Sequence, residues 1–276
     1  MTPETLFTPS GVRLRLRVRR EGTLNWLLLP GGPGIGSQSL HELADAIDVP
    51  GAVWMVDLPG DGSNPSSDND PYRQWPQVLI EAAEALPNCV YVGHSTGGMY
   101  LLSTPELESR IVGLALLSTA PDASWRSHYG ATTLQQPLRA FDAALAVYER
   151  EPTVANLRDL AVASAEWNFA PASLAAGRDL LSRMPYNTAA VVWSDVNFDN
   201  DYVSVWWPET IPTLILAGDN DRIVGQHGWD QSRFEGANVT RVAAKGGGHF
   251  PWIDNPQAVR DAFTTLAESV RDYRAR

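Results

Sequence analysis

The motif GHSTGG places one serine between glycines that lie two positions away on either side, and this serine is the first candidate for chemistry. Strand-forming residues precede Ser95 and helix-forming residues follow it, so a tight turn with Ser95 at its apex must join them. Gly93 and Gly97 have no Cβ, which lets the strand and the helix approach closely. The hydroxyl then stands at a helix N-terminus, where the dipole favours negative charge, and the pattern predicts a nucleophile.

A serine hydroxyl is a poor nucleophile near neutral pH, so a base must accept its proton and an acid must orient that base. We predict His249 as the base, because it follows the last predicted strand and precedes the final helix. A loop in that position brings the imidazole to the carboxyl edge of the sheet. The remaining histidines fit this role less well: His41, His94, His128 and His227.

The acid is predicted from chain order. When a serine at a strand-to-helix turn is the nucleophile, the acid lies between the serine and the histidine in the sequence. The segment PTLILAGDNDRIV is an apolar strand followed by a polar loop, and Asp219 and Asp221 compete within it. We favour Asp221, which lies further beyond the strand end and reaches toward His249, whereas Asp219 is suited to brace the turn. Asp122, in LLSTAPDASW, is a third candidate.

Acyl transfer also needs donors for the oxyanion that forms when the carbonyl is attacked. We predict the backbone amides of Thr96, directly after the nucleophile, and of Gly32, in the glycine-rich loop LPGGPGIGS. Its other glycines keep the backbone open to a substrate: Gly31, Gly34 and Gly36. A phosphate-binding loop is disfavoured, because the segment has neither a GK[ST] ending nor dinucleotide-type spacing.

The elements that must position these residues alternate between short strand-forming runs and helix-length amphipathic segments, which predicts an α/β fold with a mostly parallel sheet between helices. The run VRLRLRVRR alternates apolar residues with arginines, and we predict that it forms an antiparallel hairpin with TLNWLLLP at the sheet edge. Further strands are predicted in GAVWMVDL, NCVYVGH, RIVGLALLS, PTLILAG and ANVTRVAA. Helices are predicted near residues 38–47, 74–86, 96–103, 227–234 and 256–272.

The alternation stops between Pro121 and Pro208, where helical segments rich in alanine, leucine and aromatic residues follow one another. We therefore predict a core domain of residues 1–120 and 209–276 and a helical cap of residues 121–208. Aromatic rings supply contact area at low entropic cost, so the cap predicts a substrate with an apolar or aromatic body. Four tryptophans are the predicted substrate contacts: Trp125, Trp167, Trp193 and Trp206.

Composition limits the possible functions. The 276 residues include 21 basic and 32 acidic side chains, and the net charge of −11 repels nucleic acids and anionic membrane surfaces. No apolar run approaches the roughly 18 residues of a membrane span, and the first residues lack a secretion signal, so we expect a cytoplasmic protein. The single cysteine, Cys89, is predicted to be buried. The scattered histidines predict no metal site, and we expect no cofactor.

Five motifs together resemble those of the α/β-hydrolase superfamily, in the branch that uses a serine nucleophile: GGPG, DLPGDGSN, GHSTGG, GDNDRIV and GGGHF. The resemblance covers most of the chain, from NWLLLPGGPG to the last helix. It implies an α/β-hydrolase fold with a cap and hydrolysis of an ester, amide or related acyl bond in a small molecule. Dehalogenases and epoxide hydrolases of the superfamily carry an aspartate nucleophile, which Ser95 disfavours.

The GGPG motif is similar to the HGGPG of prolyl iminopeptidases, which implies release of an N-terminal residue from small peptides. Pro30 stands where that group usually has histidine, and DLPGDGSN differs from its DQRG motif, so aminopeptidase activity stays an alternative. Those enzymes hold the substrate amine with cap carboxylates, for which the resemblance offers Glu149, Glu151 and Glu166. A ligand-binding or sensor protein on the same scaffold is a further alternative, and the sequence determines neither the substrate nor the oligomeric state.

Overall fold

The computed structural model describes residues 4–66, 68 and 70–275. Within them, one sheet contains the strands β1 Thr5–Phe7, β2 Arg13–Arg19, β3 Asn25–Leu29, β4 Ala52–Asp57, β5 Cys89–His94, β6 Ile111–Leu117, β7 Thr213–Gly218 and β8 Val239–Ala244. Their spatial order is β1-β2-β4-β3-β5-β6-β7-β8. The pairs β1–β2 and β2–β4 are antiparallel, whereas all pairs from β4 to β8 are parallel. The predicted α/β fold with a mostly parallel sheet is confirmed.

The predicted hairpin between VRLRLRVRR and TLNWLLLP is wrong. Strand β2 pairs with β1 and β4, and β3 lies between β4 and β5. The burial of the two strands explains this arrangement. Residues 26–29 of β3 are buried on both faces, as expected of a strand inside a parallel sheet, whereas the arginines of β2 are partly exposed or exposed and suit a position near the edge.

Helices cover both faces of the sheet, and alternate side chains of the strands pack into separate cores. On one face, Trp26 and Met55 belong to a core that includes residues of the last helix; on the other, Leu27 and Trp54 pack with residues of the helix after β4. Cys89 is buried as predicted, and burial raises the pKa of its thiol to about 12. No helix among the described residues is long and apolar enough to cross a membrane.

The helices follow the predicted segments with two exceptions: a short helix at Pro251–Asp254 was not predicted, and one predicted helix does not form. They are α1 His41–Ala46, α2 Trp75–Glu84, α3 Thr96–Leu102, α4 Trp125–Gln135, α5 Arg139–Arg150, α6 Val154–Ala163, α7 Ala165–Asn168, α8 Leu174–Ser182, α9 Thr188–Asn197, α10 Pro251–Asp254 and α11 Pro256–Arg274. The helix predicted at 227–234 is instead two 3₁₀ turns, Gln226–Trp229 and Ser232–Phe234. Gly228 and Asp230 are weak helix formers in the middle of this segment, which explains the difference.

Helices α4 to α9 lie in the chain between β6 and β7, and we call them the helical insertion. Two backbone hydrogen bonds tie the insertion to loops at the carboxyl edge of the sheet. Asn187 N donates to Gly34 O at 2.7 Å, and His249 N donates to Asn168 O at 2.8 Å. The insertion therefore contacts both the glycine-rich loop and the histidine loop.

Candidate active site

Ser95 occupies the turn between β5 and α3 and has a backbone conformation that residues other than glycine rarely adopt. Its φ is 51° and its ψ is −127°. Such a conformation costs on the order of 1–3 kcal/mol and persists only when its surroundings hold it. Here Ser95 N donates to Leu117 O of β6 at 2.8 Å, and Ser95 O accepts from Gly98 N at 3.0 Å.

Two glycines of the GHSTGG motif allow close contacts around this turn. A Cβ on Gly93 would lie 2.6 Å from the Cα of Gly98, and a Cβ on Gly97 would lie 2.3 Å from the carbonyl oxygen of Pro30. Both contacts are with backbone atoms, which cannot rotate away as a flexible side chain can. Only glycine at these two positions allows α3 and the glycine-rich loop to approach Ser95 this closely.

We expect Gly97→Ala to lower the free energy of unfolding by about 1–3 kcal/mol, because the added methyl group forces the Pro30 carbonyl to move. Urea denaturation measures the change. Gly130→Ala in α4 is the matched control, since a Cβ there would meet no atom within 4 Å among the described residues outside its own turn of helix. This control should raise the free energy of unfolding by about 0.5–1 kcal/mol. Equal effects of the two substitutions would contradict the close contact.

His249 lies between Ser95 and Asp221 in a row of hydrogen-bonding distances. Its Nε2 is 3.1 Å from Ser95 Oγ, and its Nδ1 is 3.0 Å and 3.2 Å from Asp221 Oδ2 and Oδ1. A carboxylate beside Nδ1 favours the tautomer with the proton on that nitrogen. Nε2 is then the acceptor for the serine proton. The three side chains predicted from widely separated motifs thus meet at one point.

Of the three acids that the sequence offered, Asp221 is the one that contacts His249. Asp221 is buried, and its Oδ1 also accepts from Ile223 N and Val224 N, each at 2.9 Å. Asp219 instead accepts from Gly246 N at 2.7 Å, so it braces the loop that leads to the histidine. Asp122 accepts from the backbone N of Ser124 within its own turn.

His94 directly precedes the serine, and sequence reasoning gave it no role. Burial lowers its pKa well below the ordinary value, and the nearby His249 adds to this effect, so the ring is neutral. Its Nε2 is 3.0 Å from His249 O, which makes Nε2–H the donor to that carbonyl. The backbone of His249 is therefore held at both ends, by His94 and by Asn168. The position of His94 within the GHSTGG motif is the signal that could have pointed to it.

The glycine-rich loop lies against Ser95 and is anchored by two buried carboxylates. A Cβ on Gly31 would lie 2.6 Å from Ser95 Cβ. Asp61 Oδ1 accepts from Gly34 N at 2.9 Å, and Asp57 Oδ1 accepts from Ser37 N at 2.9 Å. Burial and the proximity of Asp57 raise the pKa of Asp61 to about 7, although backbone donors of the loop oppose the shift. The sequence singled out neither carboxylate.

Ser95 opens into a cavity of about 200 Å³, which we call the inner cavity. The predicted oxyanion residues Gly32 and Thr96 line it together with His249. Thr96 Oγ1 also lies 3.4 Å from Gly32 O, so the two segments that carry the predicted donors touch. Apolar side chains form most of the remaining wall: Ile35, Met99, Trp125, Ala161, Leu181, Tyr186, Ile223 and Phe250. This volume is below the range of about 300–1,000 Å³ that is typical of drug-sized ligands.

The structure brings one of the four predicted tryptophans, Trp125, to the inner cavity. The other three pack elsewhere. Trp167 is buried and donates from Nε1 to Gln136 O, and Trp206 donates from Nε1 to Leu101 O. Trp193 packs against Tyr72 and Trp75 of the core. Trp167 thus packs within the insertion, whereas Trp193 and Trp206 attach the insertion and the segment after it to the core. Composition could not distinguish these structural roles from substrate contact.

The three glutamates that the iminopeptidase resemblance offered are not at the inner cavity. Glu149 and Glu151 are exposed, and Glu166 is exposed and pairs with Arg178 at 3.1 Å. The described part of the chain also contains no group of three or more histidine, cysteine, aspartate or glutamate side chains placed to hold a metal ion.

Comparison with known proteins agrees with this architecture. A model of the alpha/beta hydrolase family matches residues 26–262. A pimeloyl-[acyl-carrier protein] methyl ester esterase of Xanthomonas oryzae pv. oryzae is 27% identical over 238 residues, which cover 79% of this chain and 85% of that protein.

Two solved structures show the same fold. A proline iminopeptidase-related protein from Thermus thermophilus has a TM-score of 0.73 at 20% identity, with 99% and 100% of the two chains covered. An esterase from a Rhodococcus species has a TM-score of 0.67 at 17% identity, with 98% and 100% covered. Because the family model spans more than half of its length, the chain belongs to the alpha/beta hydrolase family and is a hydrolase.

Proposed function

We propose that this hydrolase cleaves an ester bond of a small molecule through an acyl-enzyme on Ser95. The observation that carries the proposal is the row of hydrogen-bonding distances from Asp221 through His249 to Ser95 Oγ, at the wall of the inner cavity. Such a row activates a serine hydroxyl by removing its proton as the new bond forms.

In the first half of the reaction, Ser95 Oγ attacks the ester carbonyl and its proton passes to His249 Nε2. Asp221 accepts the Nδ1–H bond and stabilises the imidazolium. The backbone amides of Gly32 and Thr96 donate to the oxyanion, and losing one such donor typically costs about 2.7–4 kcal/mol in the barrier. The alcohol then leaves with the proton from Nε2, and the acyl group stays on Ser95.

In the second half, water attacks the acyl-enzyme while His249 Nε2 accepts a proton from that water. Collapse of the second tetrahedral intermediate releases the acid and returns the proton to Ser95 Oγ. Both halves use the same three side chains, and the chemistry requires no cofactor.

Two observations favour an ester over a peptide as the substrate. The Xanthomonas oryzae relative, which aligns with 79% of this chain, is named for methyl ester hydrolysis. The glutamates predicted to hold a peptide's amine are exposed and lie outside the inner cavity. A fluorophosphonate probe together with p-nitrophenyl esters and proline naphthylamide tests the proposal. We expect labelling and ester turnover; an unlabelled, inactive protein would favour a ligand-binding role, and naphthylamide turnover alone an aminopeptidase.

The volume of the inner cavity predicts a preference for short acyl groups. A cavity of about 200 Å³ with packed walls leaves no room for a long hydrocarbon chain without moving side chains. We therefore expect kcat/KM for p-nitrophenyl decanoate to be at least about tenfold below that for the butyrate, which is about 1.4 kcal/mol. Stopped-flow or plate assays over an acyl series measure this. A rate that rises steadily with chain length would contradict the assignment of the inner cavity to the acyl group.

A further inference from the structure

A second and larger cavity, of about 620 Å³, adjoins the inner cavity, and we call it the outer groove. Gly32 and Trp125 line both spaces, so the two cavities are neighbours that share these residues. The outer groove lies among helices α4, α5, α6 and α9 of the helical insertion. It is large enough for the part of a substrate remote from the reacting bond.

Three polar atoms of outer-groove residues are buried and make no hydrogen bond to the described part of the chain. They are Asp199 Oδ1, Trp125 Nε1 and Tyr148 Oη. Of these three, Asp199 is the strongest indication of a ligand, because it is an acid and the residue is only 9% exposed. Leaving a buried polar group without a partner is costly, and for a charged group the cost is higher still. Such atoms in a cleft point to a ligand that supplies the missing partners.

The charges around the outer groove favour a cation. Asp195 pairs with Arg126 at 3.3 Å, and the Arg126 guanidinium also lies 5.7 Å from the Trp125 ring centre. The charged residues that line the groove are thus one arginine and two aspartates, so the lining carries a net charge of −1 when Asp199 is ionised. Two further aromatic residues, Tyr129 and Tyr148, line the same groove, and aromatic faces attract ammonium groups.

We propose that the outer groove binds a protonated amine of the substrate through Asp199, so that the enzyme acts on small esters carrying an ammonium group at the end remote from the scissile bond. This inference rests on the ester hydrolysis proposed above. A protonated amine supplies the N–H donor that Asp199 Oδ1 lacks and the positive charge that the three aromatic rings attract.

The ionisation of Asp199 gives the proposal a pH signature. Burial raises the pKa of this carboxyl to about 6; a hydrogen bond from Ser194 and the charge of Arg126 lower it, and Asp195 raises it. The carboxyl is therefore mostly ionised at pH 7.5 and mostly protonated at pH 5. Attraction for an ammonium group should weaken as the pH falls through this interval.

The test compares two acetates of nearly the same shape, 2-(dimethylamino)ethyl acetate, which carries the protonated amine, and 3-methylbutyl acetate, which has a carbon in place of the nitrogen. We expect the wild-type enzyme to favour the amine ester by about tenfold in kcat/KM at pH 7.5. The ratio should decrease toward one at pH 5. Because both esters depend on the same serine and histidine, the ratio cancels the titration of the catalytic groups.

Asp199→Asn keeps the shape of the side chain and removes its charge, so the preference should fall to about one. Glu151→Gln, on an exposed acid outside the outer groove, is the control for the general negative charge of the protein and should keep the wild-type ratio. A wild-type ratio near one, or a preference that persists in Asp199→Asn, would overturn the proposed amine site.

A binding measurement separates failure of the amine site from failure of the proposed esterase activity. In Ser95→Ala, 2-(dimethylamino)ethyl acetate should bind and change the tryptophan fluorescence of the protein, and the double variant Ser95→Ala/Asp199→Asn should bind it at least about tenfold more weakly. Weaker binding in the double variant supports the site even if neither ester is hydrolysed. Equal binding by the two variants would reject it even if both esters are hydrolysed.

Discussion

Ser95→Ala is expected to lower kcat for p-nitrophenyl butyrate by roughly 10⁶-fold, the effect of removing the nucleophilic serine from the protease subtilisin. The substitution removes Oγ, which lies 3.1 Å from His249 Nε2 and is the only atom of the residue that can form the acyl-enzyme. Labelling by a fluorophosphonate should disappear with the activity. Steady-state kinetics on purified protein measures the first effect, and mass spectrometry the second.

Ser127→Ala is the control for this experiment, because Ser127 is exposed on α4 and the same atom is removed. It should retain wild-type kinetics and labelling. The two variants should also unfold at similar urea concentrations, which shows that the loss in Ser95→Ala is chemical. Residual activity in Ser95→Ala within about tenfold of wild type would mean that another group is the nucleophile.

Asp221→Asn should lower kcat by about 10⁴-fold while leaving the geometry of the site intact. The carboxylate lies 3.0 Å from His249 Nδ1, and in the proposed mechanism it stabilises the imidazolium that forms as the serine proton moves. An amide at this position cannot provide that negative charge, and by donating to Nδ1 it favours the tautomer whose Nε2 carries a proton. A ring in that tautomer cannot accept the proton of Ser95.

Asp219→Asn is the matched control, since it changes an acid two residues away in the same loop. Asp219 Oδ1 accepts from Gly246 N, and an asparagine oxygen can accept the same bond. We expect its kcat to stay within about threefold of wild type, a change of less than about 1 kcal/mol in the barrier. If Asp219→Asn were the severe variant and Asp221→Asn the mild one, the assignment of the acid would be wrong.

The candidate site depends on both the sheet and the helical insertion. The core provides Ser95, Asp221 and His249, but the insertion accepts the hydrogen bond from His249 N through Asn168. Asn187 donates to Gly34 of the glycine-rich loop, whose other side is held by Asp61. A shift of the insertion would therefore move the histidine and the predicted oxyanion loop together.

The residues of the turn around Ser95 could be predicted from sequence because their conformation is local. The chain must pass from a strand to a helix within a few residues, through one residue with a positive φ. Only small neighbouring residues permit so tight a turn, and Gly93 and Gly97 are such residues. The positions of Asp221 and His249 were predictable for a related reason. Each follows a strand-forming run, and parallel strands deliver their following loops to the same edge of a sheet.

Strand pairing required the tertiary structure. The alternating pattern of β2 and the apolar run of β3 were visible in the sequence, but adjacency in the chain suggested a hairpin that the protein does not form. A strand that is apolar on both faces is stabilised most at the centre of the sheet, where both of its faces are buried. The neighbours of each strand therefore depend on burial across the whole sheet. No local pattern carries that information.

The sequence by itself determined the fold class and the residue types of the candidate site, since short motifs and the burial of apolar strands decide both. Only the tertiary structure decided which tryptophan reaches the inner cavity, that His94 holds the His249 carbonyl, and that one carboxylate oxygen of Asp199, Oδ1, has no hydrogen-bond partner among the described residues of the outer groove. These outcomes depend on how each helix is rotated and packed against its neighbours. Directions of side chains follow from contacts between segments far apart in the chain, which composition and spacing do not record.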